Sequence, residues 1–531
     1  MDVGKSVAID PSGNIYTTGT FQGVADFDPG AGIFNLTSSG STDIFISKFD
    51  ASGNFIWAKN IGGASIDIGY AVAVDSSGNV FTAGSFTGTV DFDPNGGSFN
   101  LTSSGGSDIF ISKLDSLGNF VWAKNMGGTA DENANSIAVD LAGNVYTNGI
   151  FMGTADFDPN GGIVNLTSAG GNDIFISKLD VSGNFVFAKR IGGTSEDYAL
   201  SIALDSSQNI YTTGSFAGTV DFDPGASTSN LISLGADDIF ISKLDASGNF
   251  AWAKNIGETA SESGVGIAAD ITGNICVTGW FQGTADFDPN TSVTNLSSAG
   301  GIDIFALKLD ASGNFIWAKD IGGGFPEDGS SITADLSGNI YITGSFNGTT
   351  DFDPGAGVYN LTPAGSADVF ILKLDSSGNF AWAKNFGITS ASSFRSFIAV
   401  DASYNIYTVG SFQGTADFDL GSGTYNLTAS STDIFVHKMG QSISVAVPGT
   451  QNIIDIDIYP NPSGGIFNII TSKPEKNASV EVYNSIGDLI YRQPIIGEAN
   501  VVELGDQPSG LYFLRVISDG KKSTTKKLVK D

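Results

Sequence analysis

A seven-bladed β-propeller followed by a smaller β-sandwich is the all-β fold that the sequence predicts, on three observations. The triplet Asp-Phe-Asp begins at Asp26, Asp91, Asp156, Asp221, Asp286, Asp351 and Asp417, at steps of 65 residues with a last step of 66. Seven copies at one period mark a repeat array over residues 1–440. Within each period, segments that alternate apolar and polar residues are separated by Asp-x-x-Gly-Asn turns. Seventy glycines with 11% aromatics are the composition of many short strands joined by tight turns.

The second repeat gives the elements in order. Four alternating segments, Ala71 to Val74, Val80 to Phe86, Ile109 to Leu114 and Phe120 to Lys124, are read as strands A, B, C and D. The links "DSSGN" and "DSLGN" are turns in which glycine and asparagine tolerate positive φ, so each repeat is two consecutive hairpins. A four-stranded antiparallel unit too small to bury both faces alone must pack against its neighbours, which is how propeller blades stack. Apolar residues on both faces, such as Ile109, Phe110 and Ile111, fit that packing. The aromatic before Ala-Lys (Trp57, Trp122, Phe187, Trp252, Trp317, Trp382) is expected in one inter-blade slot each time.

Strand alternation places the A-to-B and C-to-D turns on one rim. The long B-to-C segments and the variable D-to-A loops then fall on the other, which is the expected binding face. Met1 aligns with Ile66, so the first segment is strand A, and the seventh repeat stops at strand C, "DIFVHK". The missing D strand is expected from a segment upstream of Met1 in a truncated reading frame, or from "SISVAV" at 442–447. Residues 441–455 are accordingly a linker or a closing strand. "MDVGKSVAID" has no basic or apolar leader region.

Charge and single residues narrow the chemistry. Residues 1–450 carry 16 Lys+Arg against 46 Asp+Glu, and residues 451–531 carry 9 against 10. So acidic an array repels phosphate backbones and anionic membranes, leaving divalent cations and neutral glycans open. No apolar run reaches the ~18 residues of a transmembrane helix. The one cysteine, Cys276, replaces a strand B aromatic and is read as a packing residue; the one histidine, His437, is expected to face solvent. Phosphate-binding, dinucleotide and nucleophile-elbow motifs are all absent. Strand A is also uniform from "SVAID" to "FIAVD", where an enzyme built on a propeller would break the symmetry.

Aspartates two apart share one side of an extended chain, and the proline after six of the seven copies holds the second one extended. Two readings follow. In the first, Asp26, Asp28, Asp91, Asp93, Asp156, Asp158, Asp221, Asp223, Asp286, Asp288, Asp351, Asp353, Asp417 and Asp419 cap turns by accepting backbone N–H groups. In the second, the same pairs with loop carbonyls form oxygen-rich calcium sites of the weak extracellular kind. Asn-Leu-Thr at Asn35, Asn100, Asn165, Asn360 and Asn426 holds a fixed place in the repeat and is read as structural.

The repeat pattern, "DssGNvYttGsF…DFDP…DIFISKLDasGNFxWAKxxGG", resembles the bacterial β-propeller repeat family abbreviated SBBP, which implies a propeller in extracellular use. The tail motifs "IDIYPNPSGGIFNI", "VEVYNSIGDLIY", "QPSGLYFLRV" and "KKLVK" resemble the type A C-terminal sorting domain of the type IX secretion system of Bacteroidetes. Tyr459, Pro460, Asn461, Pro462, Gly464, Phe467, Gly487, Gly510 and Tyr512 carry that match. It implies an immunoglobulin-like sandwich over residues 456–531 that engages the secretion machinery and sends its passenger to the cell surface or beyond. The residues themselves read as a β-sandwich, with "IFNII" and "SVEVY" alternating and "SIGD" and "PSGL" as turns.

The leading expectation is a secreted or surface-held, non-catalytic propeller that binds a glycan or a surface protein. A rigid spacer is the alternative, and a polysaccharide-active enzyme is a third reading.

Overall fold

The computed structural model describes residues 1–389, 395–421, 423–441, 456–471, 478–484, 489–495, 497, 499–518 and 521–531. The chain divides into two compact units, Met1–Gln441 and Ser442–Asp531. Every regular element among the described residues is a strand.

In the first unit each of the first six repeats makes an antiparallel four-strand ladder in the order A-B-C-D. The fourth repeat is typical, with Asp197–Leu204, Ile210–Phe216, Asp238–Leu244 and Phe250–Ile256 in register through Ile202↔Thr212, Gly214↔Phe240 and Ile241↔Lys254. The turns follow from their aspartates. Asp10 Oδ1 accepts the N–H groups of Ser12 and Asn14, both at 2.9 Å, and Oδ2 accepts Asn14 Nδ2 at 2.7 Å. The fourth turn residue takes φ near 80° at Gly13, and Gln208 and Tyr404 hold it at 64° and 65° where glycine is replaced.

Strands run longer than alternation alone predicts. In the second repeat they are Asp67–Val74, Val80–Asp91, Asn100–Leu114 and Phe120–Gly128. Glycines, serines and threonines at the ends hide the apolar alternation, yet their backbones pair: Gly127 and Gly128 stand opposite Asp156 and Ala155 of the next repeat.

Neighbouring repeats are tied at three levels. On strand A, the backbone N–H of Val72 donates to Ser6 Oγ at 3.1 Å, and Ile202 and Ile267 repeat the bond to Ser136 and Ser201. On strand C, Lys48 Nζ donates to the Ser116 carbonyl of the next turn at 2.8 Å. On strand D, Trp57 Nε1 reaches the same carbonyl at 3.4 Å, with its ring 3.1 Å from where a Cβ on Gly118 would sit. The Trp or Phe before Ala-Lys therefore fills the inter-repeat slot, as the sequence predicts. The last repeat meets the first through Asp2 N to Thr432 O at 3.1 Å, Gly4 N to Ser411 Oγ at 3.2 Å and Lys438 Nζ to Ala51 O at 2.6 Å. Among the described residues the seventh repeat contributes the three strands Phe397–Val400, Ile406–Asp417 and Asn426–Met439. "SISVAV" at 442–447 lies outside the described residues.

Two single-residue expectations resolve differently. Cys276 is fully buried in the core and burial pushes its thiol up to about 12, so it is a packing residue. His437 does not face solvent: it is half-buried, edge-on to Phe386 at 5.0 Å, and burial pushes it down to about 4. Its place on strand C is that of Ser47 and Ser112, which are buried in their own repeats.

The second unit has a three-stranded sheet (Ile456–Tyr459, Ile466–Thr471, Ala499–Glu503) and a four-stranded one (Leu489–Pro494, Ser479–Tyr483, Gly510–Ser518, Lys521–Lys530). Phe467, Val480, Val502, Leu514 and Leu528 from both form one core.

Candidate functional site: hairpins over the seams and a tier of buried acids

The segment between strands B and C is a hairpin, and its phenylalanine explains its place. Phe222 is fully buried, edge-to-face with Phe216 at 5.4 Å and tilted on Phe240 at 5.1 Å. Phe92, Phe157, Phe287 and Phe352 repeat that trio within their own sheets. The flanking aspartates close the loop. Asp221 Oδ1 accepts the N–H groups of Asp223 at 3.1 Å and Ser229 at 2.8 Å, and Asp223 Oδ1 accepts that of Gly225 at 2.8 Å. The same bonds recur at Asp26 and Asp28, Asp91 and Asp93, Asp156 and Asp158, Asp286 and Asp288, Asp351 and Asp353, and Asp417 and Asp419. Where Gly97 or Gly162 follows, a Cβ would lie 2.0 Å from Oδ2 of the second aspartate as it stands.

This geometry corrects the expected face. The hairpins leave the B-to-C rim but fold back along the seam between repeats. Asp91 and Val90 pair with Gly62 and Gly63 at the end of the preceding strand D, and Phe99 stacks on Phe120 of its own strand D at 5.0 Å. Burying the phenylalanine pulls the segment off the rim. Beyond it the tips are exposed, and four carry a β-branched aliphatic: Ile33 and Ile163 at 78%, Val293 at 71% and Val358 at 72%. Phe34 and Tyr359 add exposed rings beside Ile33 and Val358, and Tyr425 presents one at the tip of the seventh repeat.

The D-to-A rim holds a second feature that alternation does not reveal. Each "DIF" opens with an aspartate, and Asp43, Asp108, Asp173, Asp238 and Asp303 are fully buried. Against them lie the buried acids that open the next strand A: Asp67, Glu132, Asp197, Glu262 and Glu327. Glycine makes the room, since a Cβ on Gly62 would sit 2.1 Å from Asp43 Cγ, and its neighbour Gly63 N donates to Asp67 Oδ2 at 2.7 Å. Burial raises Asp67 and Asp108 to about 6, Glu132, Asp197 and Glu327 to about 7 and Glu262 to about 8.

The residue after Ala-Lys on strand D faces this tier and varies. Asn385 Nδ2 donates to Asp368 Oδ2 at 2.7 Å, Arg190 forms an ion pair with Asp173, and Asp320 lies against Asp303. Burial and, beside it, the Asp303 carboxylate raise Asp320 above the ordinary carboxylate range. The readable signal was an acid at a fixed place in every repeat. An aspartate ahead of an apolar run reads instead as a solvent-side turn residue.

Among the described residues no group of three or more His, Cys, Asp or Glu could surround a metal ion. One oxygen of each Asp-Phe-Asp aspartate is already taken by N–H donors, which is the turn-capping arrangement. Asp221→Asn, whose amide oxygen still accepts both bonds, is expected to cost less stability than Asp221→Ala, which loses them at about 1–3 kcal/mol. Thermal unfolding in chelator and then in calcium checks both readings: no calcium shift fits turn capping, and a rise abolished when the aspartates of all seven Asp-Phe-Asp motifs become asparagine would make the pairs calcium sites.

The tail residues divide by role. Asn461 Nδ2 donates to Lys527 O at 2.6 Å and its Oδ1 accepts Val529 N at 2.8 Å, tying the Tyr459-Pro460-Asn461-Pro462 entry to the last strand. Phe467 is fully buried, Tyr512 is buried with its hydroxyl donating to Pro508 O at 2.5 Å, and Tyr459 is exposed. Gly510 begins the strand Gly510–Ser518, Gly464 has open space around it, and Gly487 lies outside the described residues. Among the described residues no helix is long and apolar enough to cross a membrane.

Comparison with known proteins follows these divisions. Residues 457–531 match the family described as secretion system C-terminal sorting domain, and residues 56–89 and 316–353 match the beta-propeller repeat. A WD repeat-containing protein of Acanthamoeba polyphaga mimivirus is 27% identical over 497 residues, covering 78% of this chain and 35% of its own length. The regulatory protein FlaEY of Caulobacter vibrioides is 27% identical over 175 residues, covering 32% and 18%. The chain thus spans about a third or less of these relatives. Similar solved structures include PorZ, a surface component of the type IX secretion system of Porphyromonas gingivalis, at 13% identity and TM-score 0.21 over 99% of this chain and 81% of that one. A fungal alcohol oxidase in complex with copper is 11% identical at TM-score 0.35, covering 99% and 96%.

Proposed function

We propose, for a chain that carries β-propeller repeats and a secretion system C-terminal sorting domain, that it is an exported recognition module without catalytic chemistry. The tail takes the passenger to the cell surface or into the medium through the secretion machinery. The propeller then binds a surface glycan or a surface protein through its hairpin array.

The observation that carries this reading is the exposure of Ile33, Ile163, Val293 and Val358 at equivalent tips. A spacer has no use for large aliphatic groups held in water at the same tip position in four of its seven repeats, whereas exposed apolar groups rimmed by polar ones mark interaction sites. The exposed rings of Phe34, Tyr359 and Tyr425 offer flat faces for sugars, and the adjoining carboxylates offer acceptors for hydroxyls. The proposed surface is polyvalent, so weak single contacts add through avidity.

The full chain probed against arrays of surface polysaccharides and outer-membrane proteins is the test. Saturable binding to a restricted set is the expected result. Uniform absence of binding would leave the spacer role.

A further inference from the structure

The ring of A strands carries a position that the repeat does not hold constant. Strand A of each repeat packs against strand A of the next, and that of the seventh against that of the first, so the seven enclose the axis of the first unit. In each of the first six repeats the A-to-B ladder skips one residue, at Lys5, Tyr70, Asn135, Leu200, Val265 and Ser330. These stand 65 residues apart and are six different residue types, directly ahead of the segments, from "SVAID" to "SITAD", that hardly change. A bulge re-aims its side chain and releases it from the ladder, which is why bulges gather at binding and active sites.

The bulged side chains reach round the ring. Lys5 Nζ lies 5.0 Å over the Tyr70 ring, one strand on, and Asn135 Nδ2 donates to the Ala199 carbonyl, again one strand on, at 2.9 Å. Ser330 is 4% exposed, and its hydroxyl has no partner among the described residues. On the other side of Lys5 stands Arg395, exposed just ahead of the seventh strand A. Burial, and after it the Arg395 charge, pushes Lys5 below the ordinary lysine value. Burial pushes Asp328 of the sixth repeat up, and the same Arg395 pulls it back, so the guanidinium lies within reach of both.

Two cations here meet one carboxylate. Among the described residues neither Lys5 nor Arg395 forms an ion pair, and residues 390–394 contain no acid. A half-buried ammonium without a countercharge is costly, and it is out of keeping in a chain of net charge −31. Asp328 Oδ1 is buried close by with no hydrogen-bond partner among the described residues.

We propose that this arc of the ring is a binding site for an anionic sugar, with Lys5 and Arg395 on its acidic group and Asp328 and Ser330 on its hydroxyls. The guanidinium fork suits a carboxylate or a phosphate. The unpartnered oxygens of Asp328 and Ser330 require hydroxyl donors, which a bare anion does not bring. The site shares no residue with the hairpin tips.

Calorimetric titration of the full chain with glucuronate, glucose 6-phosphate and glucose is the test. Saturable binding of at least one anionic sugar is expected, with glucose about tenfold weaker or more, and the stronger anion identifies the acidic group. Lys5→Met and Arg395→Gln are each expected to weaken the anionic sugar about tenfold. Arg395 is exposed, so its variant keeps the parent unfolding midpoint and decides the matter even if Lys5→Met does not fold. Ile163→Ser at a hairpin tip is expected to leave sugar binding unchanged, so this site and the hairpin surface stand or fall separately. Absence of saturable binding by both anions overturns the proposal. So does equal binding of glucose, full affinity in the Arg395→Gln variant, or a loss in the tip variant, which would put the sugar on the hairpins.

Discussion

Phe222→Ala is expected to lower the unfolding free energy by about 3–5 kcal/mol, the range for truncating a buried aromatic where the walls collapse only partly. The ring is fully buried, and both its contacts, Phe216 and Phe240, belong to the sheet beneath the hairpin. Removing it leaves a cavity and unpins the loop, so Asp221 and Asp223 lose the platform on which their turns close. Denaturant unfolding at equilibrium, with the midpoint and slope compared between variant and parent, measures the effect. Tip substitutions such as Ile163→Ser serve as the control: an aliphatic group 78% exposed contributes little to stability. A loss at Phe222 no larger than at the tip would contradict the anchoring role.

Stability is expected to fall as pH rises from about 5 to about 8.5, the reverse of the usual acid denaturation. The sign follows from the buried acids. Burial raises Glu262 to about 8 from an ordinary value of 4.5, and Glu132, Asp197 and Glu327 to about 7. The folded chain therefore holds protons that the unfolded chain has released. Their contribution is fully present below the unfolded values and is lost as pH climbs through the folded ones. The turn aspartates act oppositely and lower down. Burial alone would raise Asp270, but hydrogen bonds from Thr272, Lys308 and Asn274 outweigh it and hold it at about 2, so its contribution disappears only in strong acid.

Glu262→Gln isolates the tier. Glutamine is neutral at every pH, so the variant is expected to gain about 2–4 kcal/mol over the parent at about pH 8.5 and little at about pH 5. Denaturation midpoints at both values check it. A parent as stable at the higher pH as at the lower, with no gain for the variant, would contradict buried protonated acids.

Much of this was legible in the residues. The period of Asp-Phe-Asp fixed the number of repeats, and the Asp-x-x-Gly-Asn turns fixed where strands A and C end, because both signals are local and recur. The aromatic before Ala-Lys was placed in the correct slot, since a large ring at a constant position in an array must meet the neighbouring repeat. The path of the hairpin was not legible: whether Phe222 points into its own sheet or into solvent depends on Phe216 and Phe240, which lie 6 residues before it and 18 after. The buried tier was hidden for a related reason. The charge of Asp43 argues for water, and only the absence of a Cβ at Gly62 makes room for it inside. His437 misled because serine, its counterpart in other repeats, is read as a surface residue and is interior here.

The measurement that bears most directly on the account is the affinity of two full-length proteins for an array ligand: the parent and a variant with Ile33, Ile163, Val293 and Val358 all changed to serine. The account predicts an unchanged unfolding midpoint and binding weakened at least about tenfold, because the tips carry recognition and not stability. Equal binding by the two proteins would contradict it.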